Sequence, residues 1–247
     1  MSEAAATPPP WRILSWNIRG NHSPDLTAIA EVIAGWSPDV VALQEVRRTQ
    51  AGRLGTELGW RHRWARKHHP LTPLVWWRSE GHALLTPHEL VATSSRTISP
   101  GVSTWSHRHR IVLAGTVQRG ADPLRVYDTH LAAQRQPDER IAQARRAASI
   151  VRADAAANPS RPSPPAVVAG DLNAPGEQEV IREFHAAGLR DPGGGPTHPA
   201  TVPRRRLDYI LVPEGSAITD RLVPAGGDEW AELSDHLPVL LGFTPPR

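Results

Sequence analysis

The chain has 247 residues, 39% of them hydrophobic and 21% charged, with a formal net charge of +3. That suits one sizeable globular domain and excludes a disordered chain. It contains no cysteine, which excludes disulfides, thiolate zinc sites and any phosphatase that works through a phosphocysteine.

Met1 to Pro10 is rich in Ala and Pro and carries neither the basic patch nor the apolar stretch of a secretory leader. It reads as a flexible tail on a cytoplasmic, monomeric protein, with a single domain over residues 11–247. No apolar run approaches the ~20 residues that span a bilayer.

Trp11 to Asn17 suits a strand. Ser23-Pro24 looks like an N-cap with Pro at the first helical position, and Leu26, Ile29, Ile33 and Trp36 follow at helical spacing. Pro38 stops that helix, and Asp39 to Glu45 is a buried strand ending in Gln-Glu. The pattern then changes to short strands separated by Gly/Pro turns: Leu74 to Trp77, His82 to Leu85, Glu89 to Thr93, Ile111 to Gln118 and Leu124 to Leu131. Pro137 opens a second helix with Asp138 and Glu139 in its first turn, where carboxylates suit the dipole. A Pro-rich connection, Asn158 to Pro165, leads to a buried strand from Ala166 to Ala169. A short helix near Glu177 to Ala187 follows, then a Gly/Pro loop from Pro192 to Pro203. Leu207 to Val212 and Leu237 to Phe243 are the last strands. Many short strands with a few helices between them point to sheets packed face to face, helices outside.

Polar residues recur where these apolar runs end. Asn17 ends the first strand, Glu45 the second and His130 a later one; Asp171 and Asn173 follow another. Asp208 sits inside Leu207-Asp208-Tyr209-Ile210, and Ser234-Asp235-His236 precedes the last strand. Buried charge is costly unless paired or metal-bound, so packing alone does not explain the series. Glu45, Asp171, Asp235, Asn17 and Asn173 are hard oxygen donors of the kind that suit Mg²⁺ or Mn²⁺. His130 and His236 can donate to phosphate. In-line hydrolysis of a phosphate ester needs an activated water, neutralised non-bridging oxygens and help for the leaving oxygen, and these residue types supply all three.

The ordered series resembles the endonuclease/exonuclease/phosphatase superfamily, the deoxyribonuclease-I-like fold. It runs from Ser15-Trp16-Asn17 through Leu43-Gln44-Glu45, Thr129-His130-Leu131 and Gly170-Asp171-Leu172-Asn173. Leu207-Asp208-Tyr209-Ile210 and Ser234-Asp235-His236-Leu237-Pro238 close it. The resemblance implies a four-layer αββα sandwich, two packed mixed β-sheets flanked by helices, with the site at one edge. It also implies Mg²⁺ (Mn²⁺ as substitute) on Asn17, Glu45, Asp171 and Asp235, and a catalytic set of His130, Asp171, Asn173, Asp208 and His236, with Asp208 orienting His236. Arg110 and Arg140 would join His130 and Asn173 on the substrate. For Arg140, a solvated helix face is the competing reading.

Single members have plainer readings. Asn17 could form an Asx-turn, Glu45 a surface ion pair with Arg47 or Arg48, and His130 could be a core histidine. Ser234-Asp235-His236 is no hydrolase triad, because neighbours on an extended chain point to opposite sides. Gly193-Gly194-Gly195 has no following helix to make a phosphate cradle. His68-His69 and His107-Arg108-His109 could take a transition metal, though loop packing explains them as well.

The expected substrate is a phosphodiester, DNA or RNA ahead of phosphomonoesters, lipid headgroups and other small esters. Lys67 is the only lysine, so the basic clusters are arginine, which grips phosphate with paired N–H groups; a coding bias toward arginine is the competing account. Arg61, Arg63, Arg66 and Lys67, with Arg204 to Arg206, could follow a nucleic-acid backbone, and Trp76, Trp77 and Trp105 could stack on bases or lie in the core. Three departures argue against the DNA-repair branch of the superfamily. Gly81-His82-Ala83 stands where the family often has Gly-Asn-Ala, Arg19 where the abasic-site repair branch usually has an Asp, and Gln44-Glu45-Val46 where that branch favours Gln-Glu-Thr. Glu80 is a candidate acid partner for His130.

Overall fold

The computed structural model describes residues 8–70, 73–157, 163–176 and 178–246. Most of the expected tail, part of the Asn158–Pro165 connection and Glu177 lie outside them.

Twelve strands and five helices alternate along the described residues. The first sheet takes β1 (Trp11–Asn17), β2 (Val40–Arg47), β3 (Arg61–Arg66), β4 (Glu80–Thr86), β11 (Ala217–Leu222) and β12 (Val239–Thr244), in the order β11-β12-β1-β2-β4-β3. The second takes β5 (Glu89–Thr97), β6 (Ile111–Arg119), β7 (Asp122–His130), β8 (Ala166–Asp171), β9 (Leu189–Arg190) and β10 (Asp208–Pro213), in the order β5-β6-β7-β8-β10-β9. Each sheet is mixed, with one parallel pair, β1–β2 in the first and β7–β8 in the second.

Alternation along the strands builds three apolar layers. Ile13, Val40, Ala42, Val126 and Ala169 face inward and fill the space between the sheets. Leu14, Trp16, Val41 and Leu43 face outward under α1 (Leu26–Trp36) and α2 (Arg48–Leu58). Tyr127, Val168 and Leu211 lie under α3 (Pro137–Ala156) and α4 (Gln178–His185). The result is the four-layer sandwich. No helix among the described residues is long and apolar enough to cross a membrane.

Several elements differ from the sequence-based expectation. The first helix starts at Leu26, because Asp25, not Ser23, is its N-cap: the Asp25 carboxylate accepts from the N–H groups of Thr27 and Ala28 at 2.9 and 3.2 Å. Leu74 to Trp77 is no strand; it lies in a distorted 3-10 turn, Pro73–Arg78. The partner of β4 on that side is β3, whose arginines mark a solvated edge strand. Helix α2 follows β2 at once. Its Gln50 side chain accepts from Arg47 N at 2.8 Å, while its amide donates to Gly20 O, also at 2.8 Å. The short α5 (Asp228–Leu233) and β11 are further elements that the apolar periodicity did not announce.

Candidate active site

Strand direction collects the polar residues. β1, β2, β7 and β8 end at one edge of the sandwich, where their antiparallel neighbours β6, β10 and β12 begin. Asn17, His130 and Asp171 close their strands there, Glu45 lies two residues before the end of β2, and Asp208 opens β10 directly opposite Asp171 in register. His130 is also in register with Asp171, across the parallel pair.

Two local distortions aim these groups. Strand β2 carries one extra residue against β4 between Leu43 and Val46, a bulge in which Glu45 takes φ 52°. Ala42 and Gln44 face the inter-sheet core, so simple alternation would turn Glu45 outward under the helices. The extra residue lets Val46 resume the outer face instead. Asn173 takes φ 50°, which places its backbone N–H 3.0 Å from Asp171 Oδ1.

Asp171 is the hub. Its Oδ2 lies 3.2 Å from Asn17 Nδ2, 3.5 Å from His130 Nε2 and 3.8 Å from His236 Nε2. Burial, reinforced by the Asp208 and Glu45 carboxylates and opposed by His236, pushes its carboxyl up to about 7. His236 is shifted the other way. Burial would strip its proton, but Asp208, Asp171 and Asp235 hold it, up to about 10. His236 Nδ1 meets Asp208 Oδ2 at 2.8 Å, and Thr197 Oγ1 donates to that oxygen at 2.5 Å. The segment carrying His236 is pinned to β1, where Ser234 Oγ donates to Asn17 O and Trp16 Nε1 to His236 O. Ser234 is thus a structural donor.

His130 is buried and electrically different. Burial, then the Arg110 and Lys67 cations, keep it well below its usual range and so neutral. Asn173 Nδ2 donates to Leu131 O and faces His130 Nε2, each at 3.2 Å. Carboxylates flank both ring nitrogens, Glu45 Oε1 3.7 Å from Nδ1 and Asp171 Oδ2 3.5 Å from Nε2. The acid beside His130 is Glu45, not Glu80, which pairs with Lys67 Nζ at 3.3 Å.

Lys67 was not expected in the site, and it is buried there. Against the cost of burial, its charge, the Asn17 hydrogen bond, His236 and Arg110 together hold the Glu45 carboxyl below its usual value. The Arg110 guanidinium is also buried, facing Glu45, Asp171 and Glu80, and its Nε has no hydrogen-bond partner. The pattern gave one signal for Lys67: a lone lysine directly after β3, on the inward-facing parity of Ala65. His198 was also missed. Its ring packs edge-on against His236 with centroids 4.9 Å apart, and Nδ1 meets Arg205 Nη2 at 2.9 Å.

Two expected residues sit apart from this hub. Asp235 lies at the rim, 3.3 Å from Arg19 Nη1, and its carboxylate groups with His198 and His236. Arg140 is wholly buried, which excludes a solvated helix face; it donates to Ala133 O at 2.7 Å and braces the loop after His130. Gln143 supports the same loop by accepting from Ala132 N at 2.7 Å. His109 is spent on the Lys67 carbonyl and His69 stacks on Trp105, as loop packing requires.

The donor set fits a hard divalent cation. Glu45 and Asp171 bring carboxylate oxygens into one pocket with no sulfur near, while Asn17 turns its Nδ2 to Asp171 and its Oδ1 to Arg19 N. Lys67 and Arg110 already gather there around the negative charge, and the buried His130 Nδ1 has no hydrogen-bond partner.

The sequence matches, over residues 14–236, a family described as Endonuclease/Exonuclease/phosphatase family. An endonuclease/exonuclease/phosphatase from Beutenbergia cavernae superimposes with a TM-score of 0.76 at 24% identity, over 96% of this chain and 72% of that one. The catalytic domain of human Nocturnin with bound sulfate gives 0.73 at 23%, over 96% and 93%. A mannosyl-6-phosphatase of Bacteroides thetaiotaomicron gives 0.73 at 15%, over 95% and 99%. These likenesses are of fold. No curated protein matches the sequence.

Proposed function

This chain belongs to the endonuclease/exonuclease/phosphatase family, whose members hydrolyse phosphate esters, and from that premise we propose that it is a Mg²⁺-dependent phosphodiesterase with nucleic acid as its leading substrate. The observation that carries the reading is the opposition of Asp171 and His236. A carboxylate pushed up to about 7 and an imidazolium held to about 10 face each other at 3.8 Å. One is a base suited to neutral pH, the other an acid that stays charged there.

In this reading Glu45 and Asn17, with Asp171, hold the cation, which when bound would neutralise phosphate oxygens and ease deprotonation of water. Asp171 orients the attacking water and takes its proton as the water oxygen bonds to phosphorus and the opposite P–O bond breaks, its electron pair leaving on the ester oxygen. His236 donates its Nε2–H to a non-bridging oxygen while Asp208 keeps Nδ1 protonated and the ring fixed. The Arg110 guanidinium donates to the remaining oxygens as charge builds on them, and Asn173 joins it once one Nδ2 hydrogen turns from His130 Nε2 to the phosphate. His130, neutral, meets Asn173 through Nε2 and turns Nδ1 toward Glu45. Asp235 lies at the rim on the cation's side, with Arg19 as its resting partner.

The test is nicking of supercoiled DNA and degradation of single-stranded DNA and RNA with Mg²⁺. Both should vanish in EDTA and with Asp171→Ala. Release of inorganic phosphate from sugar phosphates, with every diester left intact, would make the chain a phosphomonoesterase instead.

A further inference from the structure

Of the nine tryptophans, Trp11 and Trp16 are wholly buried, while Trp76, Trp77 and Trp105 are 60%, 51% and 43% exposed. These three sit on two touching loops beside the site. The loop after β3 and the loop before β6 meet where His69 N donates to Thr104 O at 2.6 Å. Exposed indole on a solvated surface forgoes a large burial gain, so a cluster of it marks a contact surface.

Trp76 and Trp77 wall a cavity of 350 Å³ whose other sides are Trp64 and Arg66 of β3, His62, and Arg48 at the start of α2. No carboxylate lines it. A second hollow continues along the same edge strand past Arg48, His62 and Arg63. The Arg66 guanidinium lies 6.0 Å over the Trp64 ring, so cationic and aromatic faces alternate. The cavity is joined to the site by its floor and its rim. Trp64 Nε1 donates to the carbonyl of Val46, the residue after Glu45, at 2.9 Å. Ser79 precedes Glu80, the partner of Lys67.

We propose that this cavity is a base-binding subsite, which stacks the nucleobase next to the scissile phosphate on Trp76 and Trp77. The phosphates beyond it run past Arg48, Arg63 and Arg66. The proposal rests on the phosphodiesterase reading and supplies its substrate class: single-stranded nucleic acid with an unpaired base. The lining selects this occupant. Flat indole faces suit a π-surface and impose no sequence, and arginines without a competing carboxylate suit a polyanion. An apolar peptide would leave those cations unanswered.

The test compares the wild type with a Trp76→Ala/Trp77→Ala variant in two assays. Binding of a single-stranded oligonucleotide, and of a base-free oligonucleotide of equal length, is followed by fluorescence anisotropy on an Asp171→Asn background. Hydrolysis of bis(p-nitrophenyl) phosphate is measured with Asp171 intact. The double substitution should weaken oligonucleotide binding about tenfold or more, the scale of base stacking on aromatic side chains. It should also abolish the preference for the base-bearing strand and leave the small diester's kcat/KM unchanged. An unaltered preference would overturn the subsite, whatever the wild type cleaves. Failure of the wild type to cut nucleic acid, with the Trp-dependent preference intact, would instead sink the proposed function alone. Trp-dependent partition onto phosphatidylglycerol vesicles, with no discrimination between the two oligonucleotides, would assign the surface to a membrane and overturn the proposal.

Discussion

His236 Nδ1 lies 2.8 Å from Asp208 Oδ2, and the Asp208 side chain has no exposed surface. With Thr197 Oγ1 on the same oxygen at 2.5 Å, the carboxylate is fixed from two sides, and the imidazole presents only Nε2 to Asp171. A buried imidazole without such a partner would lose its proton. The pairing therefore sets both the ring's orientation and its charge.

The rate should follow a bell-shaped pH profile. Asp171 must be ionised to accept a proton, and the cation that it helps to hold favours that form, so activity rises with pH along a limb below the metal-free value of about 7. His236 must keep its proton to donate, so activity falls as pH passes about 10. Both limbs belong to the coupled cluster, not to one residue. They are read from kcat/KM on a small diester, and a profile with neither an acid limb below pH 7 nor an alkaline limb near pH 10 would contradict the assigned roles.

Asp208→Asn should move the alkaline limb. Without the carboxylate, burial acts unopposed by its nearest anion and the His236 proton is lost at lower pH. At pH 8 the rate should drop about 100- to 1,000-fold, the cost of losing one charged donor to the transition state. A merely structural defect would lower the rate with the limb unmoved.

Asp171→Asn should make the metal-free protein more stable at alkaline pH while silencing it. The folded-state value of about 7 exceeds the ordinary 3.8, so the fold prefers the protonated form. Stability then falls as pH rises from about 4 through 7. At ~1.4 kcal/mol per unit the whole shift amounts to roughly 4 kcal/mol. Losing the Asn17 hydrogen bond offsets about 1 kcal/mol of that, leaving a net gain of about 1–3 kcal/mol. Thermal melts in EDTA should show the variant above the wild type at pH 8 and slightly below it at pH 4, where only the lost hydrogen bond remains. Added Mg²⁺ should raise the wild type more than the variant.

Gly170→Ala tests the motif's glycine without touching any polar group. Gly170 has φ 145°, and a Cβ there would fall on the carbonyl oxygen of Thr129. Strands β7 and β8 would have to part exactly where they carry His130 and Asp171. We expect a loss of about 3 kcal/mol or more in urea unfolding and a large loss of turnover. An unchanged midpoint would mean that the strand pair yields more easily than this contact implies.

The legible and illegible parts of the fold divide on physical grounds. Apolar runs such as Val40-Val41-Ala42-Leu43 are buried on both faces, so composition alone marks them. Strand β3 was read only as a basic cluster, because an edge strand keeps its arginines in water and its pairing partner decides its form. Leu74 to Trp77 misled for the opposite reason: bulky apolar residues there signal surface, not core.

In the site, residue type and order along the chain already selected Asn17, Glu45, His130, Asp171, Asn173, Asp208 and His236, because strand ends bearing carboxylates and imidazoles have few structural uses. What the sequence could not determine was charge. Two histidines of identical chemistry end up opposite: His130 neutral beside Arg110 and Lys67, His236 protonated between Asp208 and Asp171. Local sequence is silent on this, because a protonation equilibrium depends on burial and on charges brought close from distant strands, and only the packed sheets fix those distances.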